Sequence, residues 1–235
     1  MLTKEIVSMN YSTNPFVDAL DKVVVRVIQY RKQVLLSLAV VGLGGALFVG
    51  YTYYQNQRDM QASKALQAAV NVFRAQASST GDEAQWQAVA KTFEAGYSEH
   101  KGATIAASFL AYQADALLNA GKAEEAVEVL RLAVKKMSVK AVCQAYQLKL
   151  ALVLLDSSRE ELQKEGLEQL QAIAQADKNV MHEQALYHLG MFYWVRQNFE
   201  EAKNYWQQYM IKYGADKGNV QFAEKVREKL ELLTV

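Results

Sequence analysis

Pro15 is the only proline in the 235-residue chain. Everything from Phe16 to Val235 is therefore free of the one residue that both removes a backbone donor and clashes with the preceding helical turn. After the first 54 residues Ala, Leu, Gln, Glu and Lys dominate, and all are strong helix formers. Alternating strand patterns are absent, while helical periodicity runs almost throughout. The expected fold class is all-α. Beyond the first 54 residues, helices are expected at about 55–79, 83–97, 103–120, 122–136, 139–157, 159–176, 180–197, 199–213 and 218–233.

Residues 33 to 57 carry no charged side chain; Arg31-Lys32 precede them and Arg58 ends the run. Val34 to Tyr54 is 21 residues long, and a helix needs about 20 to cross the hydrocarbon core. Tyr51, Tyr53 and Tyr54 stand at its end, as an aromatic belt would. No small-x-small cleavage site follows, so 33–54 reads as an uncleaved signal anchor rather than a removed leader. A buried core helix is the competing reading. Lys22, Arg26, Arg31 and Lys32 precede the run, against Arg58 and Lys64 after it. The positive flank keeps residues 1–32 in the cytoplasm and puts residues 55–235 on the far side, the periplasm in a bacterium. Within the tail, Asn14-Pro15 and then Val17, Leu20, Val24, Val27 and Ile28 suggest a basic amphipathic helix. Gly42, Ala46 and Gly50 share one face of the run, where another helix could approach closely.

Residues 55–235 hold 21 basic and 22 acidic side chains. That even mixture lacks the basic footprint of a nucleic-acid binder. The lone cysteine, Cys143, excludes an internal disulfide and reads as a buried inert thiol. His182 and His188 are six apart, on different faces of one helix, and no phosphate loop or nucleophile motif is present. The pairs Glu124-Glu125, Glu160-Glu161 and Glu200-Glu201 fall at helix starts, where negative charge suits the dipole. No enzyme, metal or cofactor is expected.

Self-similarity sets the architecture. Leu186, Leu189, Gly190 and Tyr193 fill one helix; Phe199, Ala202, Trp206 and Tyr209 fill the next, with Gly214 closing it. An earlier copy has Leu110, Gln113, Ala114 and Leu117, then Gly121, Ala126, Leu130 and Ala133. A looser copy runs through Leu150, Ala151 and Leu154 to Gly166, Leu170 and Ile173, with an insertion at Ser157 to Lys164. The expected crossing residues Ala126, Gly166 and Ala202 are 40 and 36 apart, near the tetratricopeptide period of about 34. A weaker first pair surrounds Phe73 and Trp86. These copies predict a tetratricopeptide-like α-solenoid of about four hairpins, capped by 220–233 with Phe222, Val226 and Leu230 inward.

Three features together resemble a bacterial family: Arg31 to Tyr54, Gly102 to Ser108 leading into Lys122 to Ala126, and the repeat Tyr187 to Tyr213. The family is that of the YfgM-like ancillary subunit of the SecYEG translocon, a single-pass inner-membrane protein. The resemblance implies a seat beside the protein-conducting channel. It also implies protein partners: channel subunits, a membrane-anchored periplasmic chaperone and client polypeptides. The tail 1–20 and the Ser157–Lys164 insertion exceed the family's usual pattern. A self-associating scaffold of the cell envelope is the alternative.

A concave partner-binding face would be lined by the first helix of each repeat. Its expected residues are Gln184, Tyr187, Met191 and Trp194, with Ala145, Leu148, Leu152 and Leu155 from the preceding repeat. The competing reading makes them core, covered by the C-terminal helix or a neighbouring hairpin.

Overall fold

A computed structural model describes residues 30–78, 82–214 and 218–233, apart from the side chains of Arg31, Val34 and Ser37. The expected amphipathic helix of the tail lies outside the described residues. All secondary structure within them is helical. The helices are α1 (Arg31–Ala77), α2 (Glu83–Glu99), α3 (Ala106–Asn119), α4 (Ala123–Lys136) and α5 (Lys140–Leu155). α6 (Glu160–Gln175), α7 (His182–Val195), α8 (Phe199–Tyr213) and α9 (Val220–Leu232) complete the chain. Two compact units divide it, Met1–Asn56 and Gln57–Val235.

In the first unit, described side chains from Leu38 to Tyr51 are all exposed, on every face of the helix. Among the described residues, no helix is long and apolar enough to cross a membrane. The expected crossing spans Val34 and Ser37, whose side chains lie outside that set. A Cβ on Gly42 or Gly50 would meet nothing within 4 Å, so the face they share with Ala46 is unoccupied among the described residues.

The second unit is a stack of antiparallel hairpins. Residues 57–77 of α1 pair with α2 through an aromatic cluster that reaches α3. Phe73 meets Trp86 edge-on at 5.2 Å and Tyr112 at 5.6 Å, and Phe93 stacks on Tyr112 at 5.3 Å. The weakly patterned first pair is thus a built hairpin, held by these rings together with the buried Ala62, Ala69 and Ala90. Hairpins α3–α4, α5–α6 and α7–α8 follow, and α9 closes the stack with Val226 fully buried and Phe222 and Leu230 packed beside it. Lys225, Arg227 and Glu228 face water, as expected of a capping helix.

The repeat period is written in cross-hairpin contacts. Arg131 makes a bidentate pair with Glu165 at 2.6 Å, and Lys149 pairs with Asp115; each spans 34 residues. The Arg131 guanidinium holds the Glu165 carboxyl below its usual range. Both groups are about a third exposed, so Arg131→Ala should cost only about 1 kcal/mol. That loss should be full at neutral pH. It should vanish in acid, as pH falls through the lowered Glu165 pKa and the wild-type pair is itself lost.

Two hairpin turns share one geometry. After α3, the N–H of Gly121 donates to Leu118 O and that of Lys122 to Leu117 O, at 3.0 and 2.8 Å. After α7, Gln197 donates to Trp194 O and Asn198 to Tyr193 O, at 2.9 and 3.0 Å. Both are Schellman closures and need a left-handed residue. Gly121 supplies φ 72° freely, whereas Gln197 adopts φ 60° against its own Cβ. Gln197→Gly should therefore stabilise the domain by about 1 kcal/mol, read from the denaturation midpoint.

Candidate protein-interaction site

The crossing residues sit where the repeat pattern puts them. Ala114, Ala126 and Ala202 are fully buried, and so is Trp206. Tyr193 is half-buried and stacks on Tyr205 at 5.6 Å. A Cβ at Gly190 would stand 2.1 Å from Trp206 Nε1, so the indole fills the space that glycine leaves. Gly166 presses on the α5 backbone, its position for a Cβ being 2.7 Å from Ala151 O. The insertion at Ser157–Lys164 is largely an added helical turn. α6 begins six residues before Gly166, whereas α4 and α8 begin three before Ala126 and Ala202.

Of the expected concave lining, Leu148 is buried, and Leu152, Leu155, Gln184, Tyr187, Met191 and Trp194 are half-buried. Leu148, Leu152 and Leu155 join the core of Leu170, Ile173, Ala185 and Leu189. Tyr187 lies under α9, stacked on Phe222 at 4.3 Å, and Lys229 Nζ stands 4.6 Å over the Trp194 ring. Met191 packs into the same cluster. Gln184 differs: its side-chain oxygen is buried without a hydrogen-bond partner among the described residues. Cys143 is half-buried rather than buried, because it sits in the first turn of α5 with its Sγ near Val134 O at 3.6 Å.

Open surface is found elsewhere. A cleft of about 350 Å³ between α4, α5 and α6 sets the amides of Gln147, Gln169 and Asn179 beside Leu150 and Ile173. Gln169 is tied through Nε2 to Glu165, and Asn179 through Oδ1 to the Met181 N–H. Each keeps the other half of its amide for a passing backbone, which suits an extended peptide over an apolar floor. A second cleft of about 460 Å³ lies between the added turn of α6 and the end of α7. There the Arg196 guanidinium covers the Phe192 ring at 3.8 Å and bonds Gln163 Oε1 at 2.8 Å. Periodicity marks core faces and hides both clefts. Only the displacement of Glu160-Glu161 from Gly166 hinted at the second.

A polar knot ties the last two hairpin ends. His182, 4 % exposed, meets Tyr213 Oη through Nδ1 at 2.8 Å and Asp177 through Nε2 at 3.4 Å. Asp177 also takes Lys212 at 2.7 Å, while Tyr209 Oη donates to Glu183 at 2.8 Å. Burial holds His182 below the ordinary histidine value of 6.5, Lys212 adding to the effect and Asp177 opposing it. Burial lowers His188 in the same way. Both stay neutral in the fold while the unfolded chain takes up protons near pH 6.5. Stability is thus whole above that pH and declines below it. The melting temperature should fall between pH 7.5 and 5.5, roughly the histidine range, and the fall should flatten in His182→Gln. Among the described residues, no three His, Cys, Asp or Glu gather as a metal site.

Stacked hairpins, small residues at each crossing and a capping helix define a helical-repeat interaction module. The chain belongs to the tetratricopeptide repeat-like domain family, whose pattern it matches over residues 28–234. No curated protein and no solved structure matches it.

Proposed function

We propose that this protein is a non-enzymatic, membrane-anchored adaptor whose repeat domain binds other proteins. Family membership over nearly the whole chain supports the adaptor role. The cleft carrying Gln147, Gln169 and Asn179 offers a surface for a peptide. Anchoring is supported by the 21-residue run Val34–Tyr54, taken whole from the sequence. Its described apolar side chains lie open on all sides, Leu47 at 74 %; in water such a surface has no stable environment. The basic flank supports a topology with residues 1–32 in the cytoplasm and the domain outside, in the bacterial periplasm. The YfgM-like resemblance supports a seat beside the SecYEG channel and transfer of emerging proteins to a membrane-anchored chaperone.

The test is affinity purification of the full chain from its own membranes in mild detergent, with partners identified by mass spectrometry. Channel subunits and a periplasmic chaperone should co-purify, and should be lost when 55–235 is deleted. The unoccupied face of Gly42, Ala46 and Gly50 favours one other outcome, a homo-oligomer without the channel. Ala46→Ile would then break it, and the scaffold reading would replace the adaptor.

A further inference from the structure

The hairpin stack has two edges. One carries the turns inside hairpins, tied by Lys122–Glu83 at 3.3 Å and Arg196–Gln163 at 2.8 Å. The other carries the junctions between hairpins, tied by Val180 N–H to Gln144 Oε1 at 3.4 Å and Lys212 to Asp177 at 2.7 Å. The chain also enters the domain on the junction edge, where Asp59 Oδ1 accepts the Thr104 N–H at 2.7 Å. In sequence, Asp59 lies five residues after Tyr54, the end of the apolar run.

The junction edge is basic and greasy at once. Lys135, Lys136, Lys140 and Lys178 are exposed, and none has an ion-pair partner among the described residues. Between them Val139 and Val180 stand 59 % and 53 % exposed at the tips of two adjacent junctions. Half-buried carboxylates of this edge are engaged by the domain itself, Asp59 by Thr104 and Glu183 by Tyr209 and Asn219, while Asp177, 82 % exposed, is neutralised by its ion pair with Lys212. Glu99 and the Lys212-paired Asp177 are exposed acids of this edge. Lys135 and Lys136 close α4, where the helix dipole favours them. Lys140, in contrast, opens α5 with no acid in its first turn, and Lys178 precedes the start of α7. The dipole disfavours cations at both places, so their positions answer to something outside the helices.

We infer that the junction edge docks on an anionic lipid surface, with the four lysines over the headgroups and Val139 and Val180 dipping among them. Charge complementarity selects the lipid. Covalent reach sustains it: five residues span at most about 18 Å, so Asp59, where the chain enters this edge, lies within that distance of the end of the apolar run. The inference rests on the anchor proposed above. Each lysine near an anionic surface favours binding by about five-fold, so four together favour the docked state by roughly 10²–10³-fold.

The test uses the full chain with Cys143→Ala, carrying a nitroxide at Val180→Cys or, on the opposite edge, at Val195→Cys. Each is reconstituted into phosphatidylcholine vesicles with and without phosphatidylglycerol. Resistance to alkaline carbonate reports anchoring; oxygen and nickel-chelate accessibilities report lipid contact. The expected result is resistance in all vesicles. The label at 180 should be shielded only with phosphatidylglycerol and the label at 195 wet throughout. Shielding should be lost in the K135Q/K136Q/K140Q/K178Q variant, whose helical melting midpoint should not move. An anchored chain with 180 wet in both vesicles overturns the docking and leaves the anchor standing. Shielding that persists in the quadruple variant, or that tracks protein concentration as contact with a second copy would, also overturns it. Extraction by carbonate overturns the anchor and the inference together.

Discussion

Replacing Trp206 by alanine should cost the domain about 3–5 kcal/mol. The indole is fully buried and touches three helices through one cluster: Leu186 of α7, Tyr209 of its own helix and Val226 of α9. Its Nε1–H donates to Tyr187 O at 3.4 Å, and Trp194 lies 5.6 Å away, centre to centre. No neighbour can fill such a hole, because Gly190, directly opposite, has no side chain to offer. In a solenoid the damage should stay local. Amide exchange should quicken in α7, α8 and α9 while the Phe93–Tyr112 region of α2 and α3 keeps its protection. A second substitution sharpens the expectation. Gly190→Ala should cost about 1–3 kcal/mol in the wild type, where its Cβ collides with the indole. In the Trp206→Ala background that cost should nearly vanish, and the cycle would measure the coupling. Urea unfolding of the four variants tests it; additive losses would mean that the two residues do not share one space.

The repeat positions of Gly190, Ala202 and Trp206 were readable in the sequence from tetratricopeptide spacing, though not that the indole fills the space Gly190 leaves. Helix positions were readable for the same reason: with no proline after Pro15, periodicity meets no interruption, and every expected helix from 83 onward has its counterpart. Two other things escaped. The first hairpin buries small residues, Ala62, Ala69 and Ala90, but its weak repeat pattern did not single them out. Phe73, Trp86, Phe93 and Tyr112 join through edges and faces, a contact that leaves no spacing signature. The binding surface escaped for a deeper reason. Apolar spacing tells which residues leave water, not which neighbour removes them from it, so Tyr187 and Trp194 read equally as open lining and as the floor beneath α9. The amide-bearing cleft at Gln147, Gln169 and Asn179 draws on three elements far apart in sequence, and short-range periodicity cannot see it.

Gly166→Ala sets two effects against each other and should lose stability. Gly166 lies in the interior of α6, where alanine alone would favour the helix by about 1 kcal/mol. Opposite it, the new Cβ would stand 2.7 Å from Ala151 O, 2.8 Å from Leu155 N and 2.8 Å from Leu154 Cβ. Two of those three atoms are backbone of α5, so no side chain can swing aside. The helices must separate along their contact, and the fully buried Ala151, Leu154 and Leu170 lose packing with them. Overpacking that only the backbone can relieve falls at the upper end of about 1–3 kcal/mol, leaving a net loss near 2 kcal/mol. The Ser157–Lys164 insertion makes the outcome informative. The added turn lengthens α6 ahead of Gly166 without moving the crossing, so the contact should be as intolerant as the one at Gly190. Urea denaturation against the wild type decides it. A midpoint shifted down places the α5–α6 crossing on Gly166; a midpoint shifted up would mean that the helices meet elsewhere and that the added turn has displaced the repeat.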